Sequence, residues 1–213
     1  MEKEITQKEL LRLKNLWVYE EELYKNGCTS VAGVDEVGRG PLAGPVAAAC
    51  VILPRGLLIP GLDDSKKLSE KKRNEITKVV EEKAVCINIA EVDWRTIDEI
   101  NILTATRRAM KEAVAGLNIT PGHVLVDGRA IPDAAFDHTA IVGGDGKSAS
   151  IAAASVIAKV YRDRLMIEYD DIYPEYGFAR HKGYGTAAHV EALKKYGPCP
   201  IHRKTFIKNI FRV

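Results

Sequence analysis

Apolar residues follow two rhythms along this chain, helical spacing in some segments and short unbroken runs in others. Leu13, Leu16, Trp17 and Leu23 recur at helical intervals between Thr6, paired with Glu9 as a capping box, and the stop at Asn26-Gly27, which predicts a single N-terminal helix. Two strands follow at about 30–37 and 44–54, and the short glycine-rich turn between them favours an antiparallel hairpin. After the loop Asp63-Asp64-Ser65-Lys66-Lys67-Leu68, a helix beginning beyond Ser69 carries Ile76, Val79 and Val80, and Val85 to Ala90 reads as a third strand. A helix over about 101–117, a buried strand at His123-Val124-Leu125-Val126-Asp127 and a fifth strand over Thr139 to Val142 come next. The helix from Ala149 to about Tyr169 is rich in Ala, Ser, Ile and Val, so it can approach a sheet closely. Its charged turns at Arg162-Asp163-Arg164 are expected to leave the core. A short helix near Ala187 to Lys195 closes the pattern, which as a whole is that of an α/β domain.

Composition changes this picture little. With 213 residues, 46% hydrophobic and 28% charged, the chain can bury a proper core, and disordered and membrane classes are excluded. Met1 to Lys25 has neither a signal peptide nor a spanning apolar run, so the expected location is the cytoplasm, with no membrane partner. Cys28, Cys50, Cys86 and Cys199 lack C-x-x-C spacing, which argues against zinc and redox motifs, and Cys50 reads as a core residue. The net charge is only +2, yet from Phe178 onward Arg180, Lys182, Lys194, Lys195, Arg203, Lys204, Lys208 and Arg212 stand against one acid, Glu191. That region suits a polyanion, or is simply a solvated basic surface.

The chemistry concentrates at strand ends. Asp35 and Glu36 are neighbours on the first strand, so their side chains point to opposite faces and one is driven inward, where an unpaired charge is costly. Asp127 ends a buried strand and is followed by Gly128; Asp145 lies in Gly143-Gly144-Asp145-Gly146-Lys147-Ser148 before a helix. Singly, Asp127 reads as a turn residue and Asp145 as a helix cap. Together the four are hard oxygen donors with no His or Cys nearby, a set suited to Mg²⁺ or Mn²⁺. Two such ions roughly 3.5–4 Å apart activate a water and stabilise the leaving oxygen of a phosphodiester.

The spacing Gly33-x-x-x-x-Gly38-Arg39-Gly40 imitates a phosphate loop but has Arg for Lys and Gly for Ser/Thr, with two acids where phosphates would lie. Gly146-Lys147-Ser148 fails too, because Ile141 stands where the first glycine belongs. A nucleic-acid-binding module without chemistry, using Arg39, Lys66 and the basic C-terminal region, and a Mg²⁺-dependent DNA nuclease or integrase-like protein of the same fold with similar acids stay open at this level.

Gly33-Val34-Asp35-Glu36-Val37-Gly38-Arg39-Gly40-Pro41-Leu42-Ala43-Gly44-Pro45 resembles the signature of the type 2 ribonucleases H, within them bacterial ribonuclease HII. Matches continue in order at Asp64-Ser65-Lys66-Lys67-Leu68-Ser69, Val126-Asp127-Gly128, Gly144-Asp145 with Lys147-Ser148, Ala153 to Val160 with Arg162-Asp163-Arg164, and His181-Lys182-Gly183-Tyr184. The resemblance implies a ribonuclease H-like fold: a five-stranded mixed sheet, its first three strands antiparallel, flanked by helices. An N-terminal helical appendage (1–28) is expected to precede a catalytic domain (29–213) that ends in a small helical part from about 175.

It also implies an endonuclease cutting the RNA strand of RNA/DNA hybrids, and 5′ to single ribonucleotides embedded in duplex DNA, by a two-metal-ion mechanism that leaves a 3′-hydroxyl and a 5′-phosphate. Asp35, Glu36, Asp127 and Asp145 match the catalytic, metal-binding acids. Gly38, Arg39 and Gly40 match the segment holding the 2′-hydroxyl, Tyr184 the tyrosine that reads the adjacent deoxyribose, and Lys66 a phosphate-contacting position. A helix ion pair of Asp163 with Arg162 or a neighbour is expected in preference to a catalytic role. The implied partners are hybrid and ribonucleotide-containing duplexes, and a monomer is expected. About 28 residues precede the first strand, which favours the HII over the HIII branch, and the end at Val213 leaves no evident clamp-binding tail.

Overall fold

The computed structural model describes residues 5–211; Arg212, counted above with the basic region, lies outside them. Its elements are α1 (Gln7–Asn15), α2 (Val18–Lys25), β1 (Val31–Val37), β2 (Val46–Ile52), α3 (Glu70–Lys83), β3 (Cys86–Val92), α4 (Trp94–Ile100), α5 (Ile102–Ala115), β4 (His123–Asp127), β5 (His138–Ile141), α6 (Ala149–Ile172), α7 (Phe178–His181), α8 (Ala187–Tyr196) and α9 (Lys204–Ile207), with short 3₁₀ turns at Ser65–Lys67 and Gly144–Gly146. No helix among the described residues is long and apolar enough to cross a membrane.

The strands form one mixed sheet ordered β3-β2-β1-β4-β5. β1 to β3 are antiparallel neighbours, and β4 and β5 continue the sheet in parallel on the other side of β1. β2 is buried at every residue, as an unbroken apolar run demands when helices cover both faces of a sheet. One face packs against α1, α3 and α6, the other against α4 and α5. Gly33 permits the closest approach: a Cβ there would sit 2.1 Å from the Ser150 carbonyl carbon of α6. The small residues Ala149, Ala152, Ala153, Ala154 and Ala158 complete that seam.

Several expectations are corrected. The N-terminal helix is two helices, because Leu16 and Trp17 turn into the core beside Leu13 and the Trp17 indole N–H donates to the Leu57 carbonyl at 3.0 Å. Thr6 caps the Glu9 amide, but the Glu9 carboxylate pairs with Arg12 at 2.8 Å, so only half of the capping box forms. The helix expected over 101–117 is preceded by α4. The two abut at Asn101, whose side chain accepts from the Leu103 and Thr104 amides. Val79 is exposed, unlike Ile76 and Val80. The largest departure is Arg162. Far from leaving the core, it is fully buried, and its three donors reach the carbonyls of Pro45, Lys182 and Ala43 at 3.0 Å each. Asp163 does form the expected helix ion pair, with its neighbour Lys159 at 2.7 Å, and also lies 4.0 Å from Arg73.

Helices α7 to α9 enclose a third cluster with Phe178, Leu193, Ile201 and Ile207, which seals the end of α6 at Met166. Arg203 is fully buried within this basic region, so the stretch after Phe178 is not a uniformly solvated face.

Candidate active site

The acids meet where β1 and β4, parallel and adjacent, reach their carboxyl ends, with Val34 opposite Val126. Strand alternation divides the first pair as expected. Asp35 is 3% exposed and turned toward α6, whereas the Glu36 side chain is 15% exposed and faces Arg39, whose guanidinium lies 3.4 Å away. Asp127 closes β4, and its Oδ1 accepts the Gly144 N–H at 2.7 Å, which locks the turn carrying Asp145 against the strand. Gly128 then leaves the strand with φ of 81°.

Asp35, Asp127 and Asp145 each present a carboxylate oxygen within 4.8 Å of the others. Glu36 is not in that set, so the fourfold cluster expected from the sequence is here a triad with a fourth acid alongside. Burial holds Asp35 well above the usual carboxylate range, reinforced by the charges of Glu36 and Asp127, with the Ser155 hydroxyl and the Glu36 amide pulling the other way. Burial also raises Glu36; Arg39 opposes this and Asp127 adds to it. Asp145 is raised by burial, then by Asp127 and Asp64, and lowered by Lys66, which pairs with it at 3.3 Å. Burial works against the Lys66 charge, but Asp145, Asp35 and Asp64 leave it above its ordinary value.

Three mutually repelling oxygens eased by one lysine make a donor set that fits a hard dication, since removing the repulsion needs positive charge inside the cluster. The residues present therefore suit Mg²⁺ or Mn²⁺.

A cleft of about 230 Å³ gathers Asp35, Glu36, Gly38, Arg39, Gly40, Lys66, Asp127 and Tyr184 with Ser65, Ser155 and Lys159. Of the site residues expected from the sequence, only Asp145 is missing from this lining, and it joins through Lys66 and the triad. Tyr184 is 42% exposed rather than a core aromatic. The nearest atom to a Cβ built on Gly40 would be Tyr184 Cε1, at 3.6 Å, an ordinary contact. Nothing in the fold demands glycine there; the open side faces the cleft. Ser155 and Lys159 were missed as site residues. Ser155 shares a 2.9 Å hydrogen bond with Ser65 beneath the acids, and Lys159 lines the cleft one turn along α6. Their four-residue spacing on one helix was the available signal.

Residues 32–211 match the family model described as Ribonuclease HII. The chain is 53% identical over 206 residues to a curated ribonuclease HII of Caldanaerobacter subterraneus subsp. tengcongensis, a match that spans 97% of this chain and 86% of that relative. It is 55% identical over 203 residues to the ribonuclease HII of Acetivibrio thermocellus, spanning 95% and 79%. Among solved structures, ribonuclease H2 from Pyrococcus horikoshii OT3 is similar with a TM-score of 0.70 and 28% identity, over 85% of this chain and 97% of that one.

Proposed function

Because this chain belongs to the ribonuclease HII family, metal-dependent endonucleases that cleave the RNA strand of RNA/DNA hybrids, we propose that it also cuts DNA duplexes 5′ to a single embedded ribonucleotide. In this reading Asp35, Glu36, Asp127 and Asp145 hold two Mg²⁺ or Mn²⁺ ions. The observation that carries it is the convergence of three carboxylate oxygens within 4.8 Å, lined up beside a glycine turn that exposes backbone to the cleft.

Bound dications lower the pKa of a coordinated water and stabilise charge on the leaving oxygen of an in-line displacement. The protein's own groups prepare that chemistry. The Gly144 amide fixes Asp127, and the Glu36 amide, 2.8 Å from Asp35 Oδ1, fixes Asp35, so neither carboxylate must reorganise. Lys66, held at the rim by Asp145, offers its ammonium to a substrate phosphate. The backbone of Gly38-Arg39-Gly40 approaches the ribose 2′-hydroxyl with no side chain in the way, and that hydroxyl separates RNA from DNA. The Tyr184 ring, across from Gly40, packs on the following deoxyribose. The products carry a 3′-hydroxyl and a 5′-phosphate.

One cleavage assay tests this reading: a duplex with one ribonucleotide, an RNA/DNA hybrid and an all-DNA duplex, each with Mg²⁺, Mn²⁺ or EDTA. Cutting 5′ to the ribonucleotide only with metal, and sparing of the all-DNA duplex, is expected. No metal-dependent cut at the single ribonucleotide overturns it.

A further inference from the structure

The two bulkiest fully buried side chains among the described residues are both arginines, Arg162 and Arg203. Neither is in an ion pair there. A buried charge without a carboxylate is costly, and well-packed apolar side chains of similar volume often serve stability as well or better. Their hydrogen bonds all go to backbone, and the Arg203 guanidinium also lies over the Phe206 ring, 5.1 Å from its centroid. Arg203 donates through Nε to the Gly44 carbonyl at 2.9 Å, through Nη1 to Arg39 at 2.9 Å and through Nη2 to Gly38 at 2.6 Å. Arg162 donates to the carbonyls of Ala43, Pro45 and Lys182. Two of the six acceptors, the carbonyls of Gly38 and Arg39, belong to the turn to which the proposed function assigns the ribose 2′-hydroxyl; the other four, at Ala43, Gly44, Pro45 and Lys182, continue that turn or lie two residues before Tyr184.

A trans peptide is planar, so a carbonyl and the following N–H point in opposite directions. With the Gly38 and Arg39 carbonyls pulled inward by Arg203 and no cis peptide among the described residues, the N–H groups of Arg39 and Gly40 must face outward. Neither N–H has an acceptor among the described residues. The glycine spacing follows from the same contacts. Gly38 has φ of 90°, and a Cβ there would lie 2.3 Å from Arg162 Nε, so the loop accepts Arg162 behind it only without a side chain. The Leu42 amide donates to the Gly183 carbonyl at 2.8 Å, which ties the two segments together. Burial holds both guanidiniums below the ordinary arginine value, Arg203 to about 9 with help from the Arg162 charge and Arg162 to about 10; both stay charged at neutral pH.

We propose that Arg203, backed by Arg162, is a positioning residue for ribonucleotide recognition: by holding the carbonyls of Gly38 and Arg39 from behind, it aims two free N–H groups at the sugar–phosphate of the bound strand. Two buried positive charges beneath the loop, neither in an ion pair, further polarise those peptides toward an oxygen ligand. The inference rests on the reading of Gly38-Arg39-Gly40 given above. Lysine cannot replace arginine in this role, because one ammonium cannot span three carbonyls arranged as a fork.

The test compares wild type with Arg203→Lys and Arg162→Lys, each checked by thermal melting. Two quantities are read: kcat and KM on a single-ribonucleotide duplex with Mg²⁺, and the binding ratio of that duplex to its all-DNA counterpart in Ca²⁺. For Arg203→Lys we expect KM to rise about tenfold with kcat within about threefold, as for loss of one charged hydrogen-bond set, and the binding ratio to fall toward one. A merely structural role would lower kcat with the inactive fraction and leave both KM and the ratio unchanged; that result overturns the inference. If neither lysine variant folds, the arginines are structural and the inference likewise falls. A wild type that does not prefer or cut the ribonucleotide duplex refutes the proposed function itself, whereas a discriminating wild type with an equally discriminating Arg203→Lys refutes only this inference.

Discussion

Replacing Asp35 by Asn should make the metal-free protein more stable while abolishing cleavage. Asp35 is 3% exposed and has a carboxylate oxygen within 4.8 Å of one on Asp127. At an effective dielectric near 20, two unit charges at that separation repel by about 3.5 kcal/mol. Asn keeps the oxygen that accepts the Glu36 amide, so the charge goes and that hydrogen bond stays. A net gain of about 2–3 kcal/mol follows, or roughly 5–10 °C in Tm for a chain of this size. The pH dependence has a definite sign. Because burial and the charges of Glu36 and Asp127 raise Asp35 in the folded state, the folded protein binds more protons than the unfolded chain above the ordinary carboxylate value. The cost therefore grows as pH rises through the raised value and vanishes at low pH. Thermal melts of wild type and Asp35→Asn in EDTA, from about pH 4 to 8, should diverge with rising pH. Added Mg²⁺ should then raise the wild type more than the variant. A variant that melts at or below wild type at neutral pH in EDTA, or a gap that does not close on acidification, refutes the reasoning.

Gly38→Ala places a side chain at φ of 90° and 2.3 Å from Arg162 Nε, which should cost about 3 kcal/mol. Gly40→Ala, whose nearest contact is 3.6 Å, should melt within about 0.5 kcal/mol of wild type yet bind the ribonucleotide duplex more weakly; equal melting of the two variants would contradict this. His189 and His202 share a 3.0 Å Nε2 contact, and burial lowers each to about 4, with His181 adding to both and His189 to His202. Their neutral forms stabilise the fold fully above about pH 6.5, and that contribution is lost as pH falls toward 4, so Tm should drop over this window and His202→Gln should flatten the drop. Trp17→Ala, in a side chain 4% exposed in the core, should cost about 3–5 kcal/mol; a change below about 1 kcal/mol in chemical denaturation would mean that α1 and α2 are dispensable.

Local sequence carried much of this protein. The unbroken run of β2, the strand ends at Asp35 and Asp127, the cap at Thr6 and the run from Gly33 to Pro45 are legible because each depends on near neighbours: strand alternation, a capping hydroxyl, a turn that needs glycine. The acids were legible as a set because hard oxygens without His or Cys have few chemical uses, and the family resemblance joined them in order along the chain.

What the sequence could not decide depends on partners far away in the chain. Leu16 and Trp17 fit one continuous helix on periodicity alone; only the core between α3 and α6 pulls them inward and breaks it. Arg162 and Arg203 look like solvated charges, since burying an arginine is unfavourable unless a ring of carbonyls is assembled to receive it, and those carbonyls come from residues 38–45 and 182. Strand alternation places Asp35 and Glu36 on opposite faces, but which of the two turns inward and joins Asp127 and Asp145 in the triad is set by the packing around β1. The sequence thus determined which chemical groups are present and in which local conformations. Tertiary structure decided which of them share a space, because burial, repulsion and hydrogen-bond satisfaction are properties of the packed assembly and not of any segment.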